Sequence, residues 1–155
     1  VENKYHPKHT LQFIAYAAEE VGLQGSEEIA RLYRQQQKRV IGVMQFDGVN
    51  YAGKSYDMTL IADGTHSAQD LFVARLVNQY LQVKWVWNKC EYACSDHYSW
   101  HAQGYRTSYP VESSIAEQNP YFHSSNDTFD KSNFSSSHAS LFVKLGMAYF
   151  LEMDQ

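Results

Sequence analysis

Two adjacent acids, Glu19 and Glu20, an aspartate at 47, a histidine at 123 and a cysteine pair at 90 and 94 are the residues here whose types and positions could do chemistry. Adjacent carboxylates are costly when partly buried unless a cation or a proton neutralises them. Carboxylates together with an imidazole form a donor set that suits zinc. On residue types alone the plainer reading, a solvated loop opened by Glu19 and Glu20 and a turn capped by His123, still has the edge. Cys90 and Cys94, separated by Glu91-Tyr92-Ala93, can be a short disulfide loop, a redox pair or half of a zinc site. A zinc site would want a second Cys or His pair at regular spacing, and a redox pair usually has two intervening residues. The disulfide is the preferred reading, and it favours an oxidising compartment.

What must position these groups is an alternation of apolar runs and helical patterns. Leu11–Ala17, Val40–Phe46, Met58–Ala62, Lys84–Trp87 and Tyr105–Val111 read as strands. Ser26–Gln37 reads as a helix capped by Ser26, Ser67–Leu81 as a second and Asp96–Gln103 as a third, opened by Ser95. A final helix is expected from about His138 to Met153. Strands of buried type alternating with helices predict a three-layer α/β/α sandwich around a mixed, mostly parallel sheet. In such sheets ligands gather outside the carboxyl ends of the strands. That rule selects Glu19-Glu20, Asp47, the Cys90–Cys94 stretch and His123.

Composition narrows the function. The 155 residues are 44% hydrophobic and 19% charged, which is globular, and no linker or repeat divides them. Thirteen basic against 17 acidic residues leave a net charge of -4, which argues against a nucleic-acid partner. No apolar run reaches the ~20 residues of a membrane span, so no membrane partner is expected. The first residues do not read as a secretion signal.

The segment Ala17-Ala18-Glu19-Glu20-Val21-Gly22-Leu23-Gln24-Gly25-Ser26 resembles the A-x-E-E-x-G-L-x-G-S pattern of the co-catalytic di-zinc aminopeptidases, the bacterial leucyl aminopeptidase family. Three further blocks follow in the family's order: Gln45-Phe46-Asp47, Cys90 to His97 with Trp100 and Gly104, and Asn119 to Thr128. The resemblance runs over essentially the whole chain. It implies Glu19 as general base, Glu20 and His123 as ligands of one zinc and Asp47 as ligand of the other. It implies Tyr92, inside the disulfide loop, as the phenol that hydrogen-bonds the tetrahedral intermediate. Ser95, Asp96 and Asp127 would be supporting or helix-capping groups. An apolar pocket for the substrate's first residue would be formed by Gly48, Cys90, Cys94, Tyr109, Val111, Ile115, Gln118 and Phe122.

The family pattern also has a His-x-Asp and an Asp-Asp segment, which supply a further histidine ligand and the aspartate bridging both zincs; this sequence contains neither. Residues 1–155 are therefore expected to be the C-terminal part of one zinc peptidase domain, inactive alone. The chain is expected to pair with the N-terminal half or with a second copy through an exposed Leu11–Ala17 edge. The substrate would be a peptide and the location secreted or periplasmic. The alternatives are a glutaminyl-cyclase-like enzyme with one zinc and a non-catalytic peptidase-like binding domain. The Cys-x-Tyr-x-Cys loop and the Glu19-Glu20 pair favour the peptidase. His97 and His101, at i, i+4 spacing, could make a zinc pair, but Tyr98 stands where an H-E-x-x-H pattern needs its glutamate.

Overall fold

The structure, a computed structural model, describes residues 5–155. Helix α1 spans Gln24–Gln35, and α2 spans Ser67–Leu76 and runs on into a π-helical turn at Val77–Leu81. Helix α3 is His97–Ala102 and α4 is Ala139–Met153. The strands are β1 (Val43–Met44), β2 (Met58–Ile61), β3 (Trp85–Asn88) and β4 (Thr107–Val111). They form one sheet in the order β1-β4-β2-β3. The β1–β4 and β2–β3 pairs are parallel, and β2–β4 is antiparallel, with Ile61 opposite Tyr109. The sheet is mixed, as expected.

Alternate residues of a strand face opposite sides. Met58 and Leu60 enter a core with Val73, Leu76 and Val77 from α2 and its extension, and Phe142 and Leu145 from α4. Burying each of these larger side chains contributes roughly 1.5–3 kcal/mol. The other face carries Ile61 and Tyr109, and there the His97 ring of α3 stacks on Tyr109 at 4.7 Å. Helix α1 lies against α3, with Tyr33 edge-on to the buried Trp100 at 5.1 Å. Helices thus cover both faces.

Three sequence expectations are corrected. Residues 11–17 form no strand, because none of the described strands offers them a ladder; Phe13 is 91% exposed. Ser26 does not cap α1. The chain reverses at Gly22 and Leu23, both in the left-handed region, so the helix begins at Gln24 and Ser26 is buried inside its first turn. Its hydroxyl donates to Ser99 Oγ at 2.8 Å and tethers α1 to α3. The strand expected over Val40–Phe46 shrinks to Val43–Met44, since β4 pairs with only that stretch.

The residues before α1 are anchored at the far end of the chain. Asp154, just past α4, accepts hydrogen bonds from the Tyr5 hydroxyl, from the Lys8 and His9 amides at 2.9 and 2.8 Å, and from His9 Nδ1 at 2.9 Å. The Tyr5 hydroxyl, followed by these donors, holds the carboxyl well below the usual aspartate range. A depressed folded-state pKa means the clasp stabilises at and above the ordinary aspartate pKa and is lost as pH falls through the lower, folded-state value. Asp154→Asn should release residues 5–9 at neutral pH. Limited proteolysis reads this as faster cleavage in that segment, and unchanged cleavage would refute it.

Candidate active site

Glu19 and Glu20 sit on a 3-10 turn, Glu19–Val21, between Ala18 and Gly22, both of which take positive φ. Gly25 N–H donates to Ala17 O at 3.0 Å and closes the turn onto α1. A Cβ at Gly25 would stand 2.4 Å from Ala17 O, so only glycine allows this approach. Asp47 follows β1. Its Oδ2 accepts from Ser95 Oγ at 2.8 Å, and its main-chain oxygen accepts from the Tyr109 hydroxyl at 3.3 Å. Ser95 therefore spends its side chain on Asp47 rather than on capping α3. His123 lies on the loop after β4 with φ 60. Its ring leans on Phe122 at 4.2 Å, and Nε2 is 3.3 Å from Glu20 Oε2. Asn119 braces the same loop, donating to Asp127 Oδ1 at 2.6 Å and accepting from the Tyr121 amide at 3.0 Å.

These groups meet in one open cleft of about 490 Å3, lined by Glu19, Glu20, Asp47, Gly48, Cys94, Phe122 and His123 among others. Burial, reinforced by the Asp47, Glu20 and Asp96 carboxylates and opposed by His123, lifts the Glu19 carboxyl above its ordinary pKa. A carboxyl poised in this way is suited to accept and return a proton. Glu20 Oε2 and His123 Nε2 point at one another as an oxygen and a nitrogen donor. Among the described residues, no three His, Cys, Asp or Glu side chains converge closely enough to hold a metal ion by themselves.

Cys90 and Cys94 are joined in a disulfide, their Cα atoms 6.1 Å apart. Cys94 lines the cleft, whereas Cys90, Tyr92, Tyr109, Val111, Ile115 and Gln118 do not. Tyr92 is 67% exposed at the tip of the disulfide loop. Tyr109 is buried beneath the floor, where desolvation pushes its phenol far above the ordinary range. Val111 Cγ2 lies behind Gly48, 3.5 Å from where a side chain there would begin. His97 and His101 belong to no metal-holding group among the described residues: His97 is fully buried, its ring is stacked on Tyr109 and its Nε2 lies 3.3 Å from the Asp63 carbonyl.

Glu112, also lining the cleft, is a group that sequence reasoning missed. It is a carboxylate at the carboxyl end of a strand, so the rule that selected Asp47 could have found it. Its Oε2 accepts the Asn50 and Tyr51 amides at 2.6 and 2.7 Å, and its own amide donates to Gly48 O at 2.9 Å. It thereby fixes the segment that begins with Asp47. His138 Nε2 donates to the Glu112 carbonyl at 2.8 Å and ties the same point to α4. Glu112→Ala strands two donors, each costing about 1–3 kcal/mol where buried. Glu112→Gln keeps an acceptor. Thermal melting should show a much larger loss for the alanine variant; equal losses would refute the clamp.

Peptidase family M28 matches residues 1–147. Leucine aminopeptidase 1 of Metarhizium robertsii is 34% identical over 149 residues, covering 92% of this chain and 38% of its own length. A probable leucine aminopeptidase of Arthroderma otae is 37% identical over 145 residues, covering 92% and 39%. Among solved structures, the Legionella pneumophila LapA aminopeptidase superposes with a TM-score of 0.89 at 34% identity, over 98% of this chain and 41% of its own. LapB of the same organism gives 0.82 at 37%, over 90% and 38%. The chain thus spans about two-fifths of the length of these relatives. No helix among the described residues is long and apolar enough to cross a membrane.

Proposed function

The chain belongs to peptidase family M28, and on that premise we propose that it carries part of the active site of a zinc-dependent aminopeptidase that removes apolar N-terminal residues from peptides. The observation that supports this most is the convergence of Glu19, Glu20, Asp47 and His123, from three separate loops, on one cleft. The relatives are named leucine aminopeptidases.

The donor set fits zinc, being carboxylate oxygen and imidazole nitrogen. Glu20 and His123 would hold one ion and Asp47 a second, with further ligands supplied by the rest of the protein. Bound there, zinc lowers the pKa of a water molecule and polarises a peptide carbonyl. Glu19 takes the proton from the attacking water and returns it to the leaving amine, keeping proton transfer within one carboxylate. Ser95 Oγ occupies Asp47 Oδ2 and fixes which oxygen is left free, an orienting bond of the kind that metal ligands need. Tyr92 offers its hydroxyl to the developing oxyanion. Gly48, Cys94 and Phe122 receive the substrate's first side chain, with Val111 behind Gly48. A disulfide at the rim accords with a secreted or periplasmic enzyme.

The test uses the longest natural form of the protein, loaded with zinc. Release of leucine from a leucyl chromogenic amide is expected. Cyclisation of an N-terminal glutamine instead would move the chain to the glutaminyl-cyclase reading. Binding without turnover would make it a peptidase-like binding domain.

A further inference from the structure

The Cys90–Cys94 bond closes a loop of five residues on itself. A bridge that short fixes the loop's shape, but it makes no tie to the sheet and cannot by itself set the direction in which Tyr92 points. The tie comes from Asp63, on the turn after β2. Cys90 N–H donates to its Oδ1 at 2.9 Å and Glu91 N–H to its Oδ2 at 2.7 Å, so both carboxylate oxygens grip consecutive amides immediately before Tyr92. Glu91 takes φ 68, a conformation that a non-glycine residue holds only when its surroundings impose it.

Asp63 is itself held from behind. The imidazole of fully buried His97 lies with Nε2 3.3 Å from the Asp63 carbonyl, so the neutral ring donates from Nε2. The same ring stacks on Tyr109, whose hydroxyl reaches the Asp47 carbonyl. Gly64, next in the chain with φ 62, sits so close to Tyr98 that a Cβ would lie 2.5 Å from the ring. A packed column therefore runs from the Asp47 backbone through Tyr109 and His97 to Asp63 and out to the disulfide loop. We propose, resting on the assignment of Tyr92 above, that Asp63 is the positioning residue for Tyr92: it converts a self-closed loop into one held in a fixed orientation at the edge of the cleft, which Cys94 of the same loop lines. Hydrogen bonds from amides to a carboxylate are among the stronger ones, and a single aspartate making two is sufficient for this.

A double-mutant cycle in the zinc-loaded, longest natural form tests it, using Asp63→Ala, Tyr92→Phe and their combination on a leucyl amide. Asp63→Ala should lower kcat by about 10- to 100-fold with KM and zinc content unchanged, as expected when a reacting group is misplaced by an ångström or so. In the Tyr92→Phe background the same change should cost nothing further, because residues acting as one unit are not additive. Asp63→Asn, which keeps one acceptor at nearly the same volume, should recover part of the loss and guards against a folding defect. Amide hydrogen exchange supplies a readout independent of activity: protection at Cys90 and Glu91 should disappear in Asp63→Ala. Losses that add in the double variant, or unchanged protection at those amides, overturn the positioning role while leaving Tyr92's in place. A Tyr92→Phe enzyme as active as its parent overturns the assignment of Tyr92 and this proposal with it.

Discussion

Replacing Glu19 by glutamine in the zinc-loaded, longest natural form is expected to remove peptide hydrolysis almost completely, by about 10²–10⁴-fold in kcat, with zinc content unchanged. Glutamine has nearly the same volume and keeps an acceptor, but it cannot take a proton from water. The neighbouring side chains are arranged so that this loss stands apart from metal loss. Glu20, not Glu19, faces His123, at 3.3 Å. Glu19 is the more enclosed of the two acids, and burial with its acidic neighbours already lifts its carboxyl. Glu20→Gln is expected to behave in the opposite way, losing zinc and activity together, because the change removes a charged donor beside His123. Atomic absorption beside kcat separates the two. A Glu19→Gln protein that hydrolyses at the parent rate, or one that has lost its zinc, would reverse the assignment.

Much of this arrangement is legible in the amino-acid order, for reasons that differ from element to element. Helix α4 and the pair β2 and β3 announce themselves, because their apolar residues repeat at the right period and their faces are buried in the way the repeat implies. Leu11–Ala17 has equally strong β character and forms no strand, because strand formation depends on a neighbour's amides and carbonyls, which propensity does not report. Ser26 and Ser95 look like helix caps by type and position. Both hydroxyls make long-range bonds instead, to Ser99 and to Asp47, and no local pattern distinguishes the two uses. The order β1-β4-β2-β3 follows from pairings between residues far apart in the chain, such as Val43 with Thr107 and, in the antiparallel β2–β4 pair, Ile61 with Tyr109, and has no local signature. At the site, the strand-end rule points to Glu19-Glu20, Asp47, the disulfide stretch and His123, but the bland reading of Glu19, Glu20 and His123 yields only to the four ordered blocks of the family resemblance. Asp63 and Glu112 act through backbone amides, and that use of a carboxylate is invisible until the chain is folded.

The same geometry governs what the 155-residue chain does when offered zinc on its own. Glu20 and His123 face each other at 3.3 Å, but their side chains are 69% and 54% exposed, and no third donor joins them among the described residues. Asp47 is engaged with Ser95 and does not complete a three-donor group with that pair. Catalytic zinc sites keep three protein ligands and one open position, so two donors and one donor fall short of two such sites. Exposed side chains must also lose rotamer freedom to converge on an ion, which weakens binding further. Micromolar zinc should therefore leave the melting temperature of this chain unchanged, whereas an ion present at about a hundred times its Kd would add about 2.7 kcal/mol. No zinc-dependent release from a leucyl amide is expected from the chain alone. On the reading proposed above, a longer form that carries the rest of the same peptidase domain should add the further donors, producing both a zinc-dependent rise in melting temperature and turnover that Glu19→Gln removes. Calorimetry on the isolated chain decides the matter: stoichiometric, tight zinc binding accompanied by leucyl-amide turnover would mean that Glu20, Asp47 and His123 form a competent centre without further protein ligands.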